Sequence, residues 1–113
     1  MNLNVVIIML FFVMEKDDDL INIRKNDLLF KLLDTMKFTI EEGFKDIDRT
    51  DIETFSDIYV LIQNSIKSEI NFNFPELKGK NAISAEALFS MLMKDLYNFE
   101  FTKKEMSEIL KKV

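Results

Sequence analysis

Apolar side chains recur every three or four residues between Thr50 and Ile70, TDIETFSDIYVLIQNSIKSEI, and this spacing predicts an α-helix. Ile58 and Leu61 widen the apolar face until it covers much of the helix circumference. Because such a helix usually contacts neighbours on several sides, we predict that it is the central helix of the fold. Thr50 and Glu53 have the spacing of a capping box, which would mark its start. The face consists of Ile52, Phe55, Tyr59, Ile62, Ile66 and Ile70.

The same periodicity predicts another helix upstream, with Asn26 or Asp27 as its N-cap. Phe30 and Phe38 lie beside the apolar stripe, and we expect them to broaden the face that packs on the core. The stripe itself consists of Leu28, Leu29, Leu32, Leu33, Met36 and Ile40.

Two interruptions are predicted around these helices. Thr39 and Glu42 form a second capping-box pattern, which predicts a kink or a restart, and Gly43 is a candidate stop. Residues 70–74, INFNF, alternate between apolar and polar, and Pro75 disfavours a helical residue before it. We therefore expect an extended connector there, with its aromatic side chains tucked into the core.

Two further helices are predicted towards the carboxyl end. Ser84 can cap a helix over Ala85–Tyr97, which has an apolar face of its own. Thr102 and Glu105 form a third capping box, and apolar residues then recur at helical spacing as far as Val113.

The amino-terminal residues contain an unbroken apolar run of ten, from Val5 to Met14. It is about half as long as a membrane-spanning helix of ~20 residues. Four interpretations stay open: a buried first element (helix or strand), an anchor that docks on a membrane or a partner, a signal sequence, or an extension upstream of a true start at Met14. The acidic link that follows the run contains no small-residue cleavage site.

Composition supports a single helical domain over residues 1–113. The chain is 48% apolar, which suffices for one core, and it has two glycines and one proline. All-β folds need many glycine turns, so we predict an all-α fold. The expected architecture is an irregular bundle of four to five helices with an apolar amino-terminal element.

Histidine and cysteine are both absent, which removes disulfides, the usual catalytic triads and ordinary zinc sites. Any acid–base chemistry would depend on carboxylates, lysine or tyrosine. We therefore expect a protein that is not an enzyme and that carries no cofactor. The net charge of −5 also disfavours nucleic acid as a partner.

Residues 41–57 form the most acidic window of the chain, with seven carboxylates against one lysine and one arginine. Asp46, Asp48 and Thr50 match the first ligand positions of an EF-hand loop. The match then fails, because Asp51 stands where that loop needs glycine and Glu53 where it needs an apolar residue. We expect a solvated acidic surface instead, which could meet a basic partner.

Eleven phenylalanines and seven methionines exceed what one small core easily hides, which suggests an exposed apolar patch for another protein or a second copy. The alternative is that all of them are buried. Flexible methionine side chains suit adaptable interfaces. The candidate partner-binding residues are Glu41, Glu42, Asp46, Asp48, Glu53, Asp57, Met91 and Met93.

The leading functional hypothesis is a non-enzymatic interaction or regulatory module that presents an apolar helical surface with an acidic rim. One alternative comes from Phe101–Val113, FTKKEMSEILKKV, which resembles the scaffold helix of helix-turn-helix regulators. That resemblance implies a DNA-associated regulator, truncated before its recognition helix. The other alternative is a small membrane-associated protein held by residues 1–14. We expect a cytoplasmic location, with membrane association as the alternative.

Overall fold

The computed structural model describes residues 17–44 and 46–113. These residues form four α-helices and one short 3₁₀-helix, and they contain no strand, so the all-α prediction is confirmed. The helices are α1 (Asp17–Gly43), α2 (Ile52–Phe72), α3 (Ala85–Tyr97) and α4 (Lys103–Lys111), with the 3₁₀-helix at Pro75–Leu77. The apolar run over residues 5–14 lies outside the described residues, and its four interpretations stay predictions.

Helix α2 is the centre of the bundle, as its apolar pattern predicts. It packs against α1, α3, α4 and the 3₁₀-helix. Phe55, Ile58 and Ile62 are fully buried, while Ile66 and Ile70 are only partly buried. Burial of each such large side chain stabilises the fold by roughly 1.5–3 kcal/mol.

The start of α2 lies one residue later than the predicted capping box places it. Asp51 is the N-cap, and its Oδ1 accepts a hydrogen bond of 3.1 Å from the backbone N–H of Thr54. Thr50 instead donates to Oδ1 of Asp48 from its backbone and from its hydroxyl, each at 3.0 Å. The Thr50–Glu53 box is therefore wrong, because aspartate is at least as good an N-cap as threonine.

Helix α1 is longer and more continuous than predicted. It begins at Asp17, well before the N-caps expected at Asn26 or Asp27. It also runs without a break through Thr39, whose hydroxyl donates to the carbonyl of Thr35 at 2.9 Å. A threonine that bonds back to the preceding turn cannot cap a new helix, so the predicted restart is wrong.

The connector predicted over residues 70–74 is mostly helical. Helix α2 continues through Phe72, and Asn73 is its C-cap. Phe74 is buried as expected, whereas Phe72 is 79% exposed. The alternation is too short to distinguish a strand from a helix, since Ile70 and Phe74 also stand four residues apart on one helical face.

The starts of α3 and α4 agree with the sequence. Ser84 accepts from the backbone N–H of Ala87 at 3.3 Å. Thr102 and Glu105 form the reciprocal capping box, with distances of 3.2 and 3.0 Å. Between the two helices Asn98 adopts a left-handed conformation (φ 58°), which asparagine tolerates and which ends α3.

An aromatic cluster holds α2, α3 and the link before α4 together. The ring of Phe55 contacts those of Phe89, Phe99 and Phe101 edge-on, at centroid distances of 6.4, 5.9 and 5.0 Å. Tyr97 stacks on Phe99 at 5.6 Å. Each pair of this kind contributes about 0.5–1.5 kcal/mol beyond simple burial.

Candidate docking surface

The outer face of α1 presents large apolar side chains to solvent. Phe30 is 65% exposed and Phe38 is 69% exposed, and Leu20 and Ile23 are exposed as well. At 3.6 residues per turn these four residues fall within an arc of about 80°. They lie roughly opposite the stripe that packs on the core, which consists of Leu28, Leu32, Met36 and Ile40.

The prediction that Phe30 and Phe38 broaden the core-facing stripe is therefore wrong. Phe30 lies two residues after Leu28, and two residues correspond to about 200° of helical rotation. Phe38 lies two residues after Met36 and turns away from the core for the same reason. The sequence alone could have shown this, because a rotation of about 200° from a core residue turns a side chain away from the core.

Three carboxylates surround the exposed ring of Phe38 on the helix surface. Asp34 lies four residues before it, and Glu41 and Glu42 lie three and four residues after it, so all three are its helical neighbours. Asp34 also stands four residues after Phe30. All three are exposed, and within residues 17–44 and 46–113 none of them forms an ion pair.

Nearby lysines of α1 are already paired with other helices. Lys31 forms an ion pair of 3.0 Å with Glu69 of α2, and Lys37 pairs with Asp95 of α3. The hydrogen bond that Lys37 donates to Asp95 raises the pKa of Lys37, and the charges of Asp95, Asp34 and Glu41 add to this effect. The apolar patch is therefore bordered by negative charge that these lysines do not pair with directly.

The exposed apolar residues and the carboxylates beside them are together called the α1 outer face. It consists of Leu20, Ile23, Phe30, Phe38, Asp34, Glu41 and Glu42.

The remaining predicted acidic residues follow α1 along the chain. Asp46 and Asp48 lie in the loop, and Glu53 and Asp57 lie in the first turns of α2. Hydrogen bonds from the backbone and the hydroxyl of Thr50 lower the pKa of Asp48, which marks it as a loop-forming residue. Glu53 makes an exposed ion pair of 3.5 Å with Lys112.

The two predicted methionines face opposite ways. Met93 is fully buried in the core, so its assignment as a partner-binding residue is wrong. Met91 is 45% exposed. Residues two apart on a helix point about 200° apart, so the two side chains cannot share one surface.

Met91 lies between two open grooves of moderate size. The groove towards α1, of about 430 Å³, is lined by Leu29, Ile83 and Lys25 among others. The groove towards the α3–α4 link, of about 440 Å³, includes Phe99 and Phe101. This second surface exposes one large apolar side chain, whereas the α1 outer face exposes four.

The part of the chain that the structure describes offers neither a cluster of metal-ligating side chains nor a helix able to cross a membrane. No three carboxylates there come close enough together to hold a metal ion. None of the helices in that part has both the length and the apolar character needed to cross a bilayer.

No protein-family model matches the chain, no curated protein shows significant similarity to it, and no solved structure significantly resembles it.

Proposed function

We propose that this protein is a small, non-enzymatic binding module that docks another protein on the α1 outer face. One observation carries the proposal: Phe30 and Phe38 are 65% and 69% exposed on the same face of one helix. Large apolar side chains exposed on one face of a helix are typical of interaction surfaces. Covering a large apolar side chain yields roughly 1.5–3 kcal/mol, so the two rings can anchor a complex.

The opposite side of α1 favours this role because it fixes the helix in place. Leu32 and Met36 lie between the two phenylalanines in sequence and are buried against the rest of the bundle. A surface held in this way loses little conformational entropy on binding, and the anchors stay in position before the partner arrives.

Two carboxylates with lowered pKa values support a non-enzymatic role, since each has a structural explanation. Hydrogen bonds from Thr54 lower the pKa of Asp51, which caps α2. Hydrogen bonding to the backbone of Thr102, with a contribution from Arg49, lowers the pKa of Glu105 in the α4 capping box. These shifts follow from helix capping and do not require a catalytic site.

The DNA-regulator hypothesis has weaker support. Glu108 is a helical neighbour of Lys104 and Lys111, so its negative charge reduces the net positive charge on the surface of α4. Lys112 is paired with Glu53. The membrane hypothesis depends on residues 1–14 and stays a prediction.

The proposal is tested by affinity capture from the native source, followed by titration of the purified partner. The bait is the full chain, compared with the double variant Phe30→Gln/Phe38→Gln. Glutamine suits helices, so the fold should persist, which circular dichroism verifies. Phe72→Gln is the matched control, because Phe72 is 79% exposed but lies on α2.

We expect the double variant to bind the purified partner at least about tenfold more weakly, and the Phe72→Gln control to bind like the wild type. Equal affinity of the wild type and the double variant would refute docking on the α1 outer face.

A further inference from the structure

Charge and spacing on the α1 outer face define the chemistry of its partner. We infer that the face binds a basic amphipathic helix that carries two large apolar residues seven or eight positions apart, with a lysine or arginine between them. This inference rests on the proposed function and adds the class of partner.

The basic character follows from the carboxylates around the apolar anchors. Asp34 stands midway between Phe30 and Phe38, and Glu41 and Glu42 lie beyond Phe38. Within the described ranges, no lysine or arginine forms an ion pair with any of the three. An interface gains specificity when opposite charges meet at its rim, so cations are the complementary groups.

The helical form follows from backbone hydrogen bonding and from spacing. Phe30 and Phe38 are eight residues apart, about 12 Å along the axis of α1. A helix packed at a small angle presents apolar residues at the same spacing and satisfies its own backbone groups. An extended peptide normally gains affinity by adding to a sheet edge, and residues 17–44 and 46–113 contain no sheet.

A second copy of this chain does not fit the face. In a two-fold contact the same surface of each copy meets the other. The phenylalanines of two copies can then pair in two simple ways. If Phe30 meets Phe38 of the other copy, residue 34 lies at the two-fold axis. If each phenylalanine meets its own counterpart, residue 34 again meets residue 34. Both arrangements place Asp34 against Asp34, and like charges in an interface are unfavourable.

The test uses two synthetic peptides and the full-length protein. The basic probe is an alanine-rich, end-capped helix of about 18 residues with two leucines seven positions apart and arginines between and beside them. The matched probe has glutamate in place of each arginine. Fluorescence anisotropy gives the dissociation constants for the wild type, for Phe30→Gln/Phe38→Gln, and for Asp34→Lys.

We expect the basic probe to bind the wild type at least about tenfold more tightly than the acidic probe, with the preference shrinking as salt rises. The double phenylalanine variant should lose about tenfold in affinity, and Asp34→Lys should reduce or reverse the charge preference. Phe72→Gln should leave the dissociation constants of both probes unchanged.

Equal binding of the two probes would overturn the inference. If a natural partner still required Phe30 and Phe38 in that case, the proposed function would survive and only the partner class would be wrong. A dimer in light scattering that Phe30→Gln/Phe38→Gln converts to a monomer would also overturn the inference, since a second copy would then occupy the face.

Discussion

Arg24 joins α1 to the segment after α2 through three kinds of contact. Its guanidinium forms an ion pair with Glu76, donates to the carbonyl of Asn73 at 3.1 Å, and lies 4.3 Å from the centroid of the Phe74 ring. A planar group with several donors can make these contacts at once, which lysine cannot. The side chain therefore fixes the α2 end against the start of α1.

Arg49 plays a similar part near α4. Its Nη2 donates to the carbonyl of Glu100 at 2.6 Å and contacts Glu105 at 3.3 Å. Both arginines contact residues about fifty positions away in sequence, so no local pattern could reveal them.

Tyr97 gives a clean test of a single hydrogen bond. Its hydroxyl donates to the carbonyl of Phe44 at 2.5 Å, which ties the end of α1 to α3. Tyr97→Phe keeps the ring that stacks on Phe99 and removes only the hydroxyl. We expect a loss of about 1 kcal/mol in the free energy of unfolding, measured by chemical denaturation.

The matched control is Tyr59→Phe. The hydroxyl of Tyr59 makes no hydrogen bond with any described residue, so its removal should change stability by less than about 0.5 kcal/mol. Equal losses in the two variants would show that the Tyr97 bond does not join the helices as described.

At the level of elements, apolar periodicity predicted which segments are helical more reliably than it predicted where each helix begins. The central position of α2 and the starts of α3 and α4 were predictable, because apolar spacing and capping residues agree there. The start of α1 was not, because Asn26 and Asp27 resemble caps and only the longer helix shows that they lie inside it. Local hydrogen-bonding preferences cannot reveal which of several candidate caps the tertiary structure uses.

The residues of the α1 outer face were also only partly predictable from the sequence. Glu41 and Glu42 were predicted as rim residues, and they adjoin an exposed apolar residue. The apolar residue itself, Phe38, is expected to broaden the core face because it lies beside the apolar stripe, but it is 69% exposed. Met93 is the reverse case, since it is expected at the surface and is instead fully buried in the core. In both cases the helical angle gives the correct side, because residues two apart on a helix point about 200° apart.

The capping carboxylate of α2 makes stability depend on pH. Hydrogen bonds from the hydroxyl and the backbone N–H of Thr54 lower the pKa of Asp51 below its ordinary value of 3.8. A carboxyl whose pKa is lower in the folded state adds stability above its unfolded pKa, and that stability is lost as the pH falls through the folded value.

Asp51→Asn tests this dependence, because asparagine also caps helices but does not titrate there. We expect the wild type to be more stable than the variant at about pH 7, and the difference in melting temperature to shrink at about pH 3. A difference that stays constant over that range would show that the charge of Asp51 does not stabilise the cap.

At the scale of the whole molecule, the described residues combine a tightly packed interior with an exposed apolar face on α1. Among the described residues, α2 contacts each of the other three α-helices, while α1 packs with one side and exposes the other. The net charge of −5 includes the carboxylates that border this face. Under the proposed function, a partner bound to the α1 outer face would gain both apolar contact and charge pairing.

The most direct test of the account is protection of this surface by the bound partner. The chain has no cysteine, so Asp34→Cys and Phe72→Cys each introduce a single reactive thiol. Alkylation rates of the two full-length variants are measured with and without saturating purified partner. We predict that the partner slows alkylation at position 34 at least about tenfold and leaves position 72 within about twofold. Protection at position 72 with none at position 34 would contradict docking on the α1 outer face.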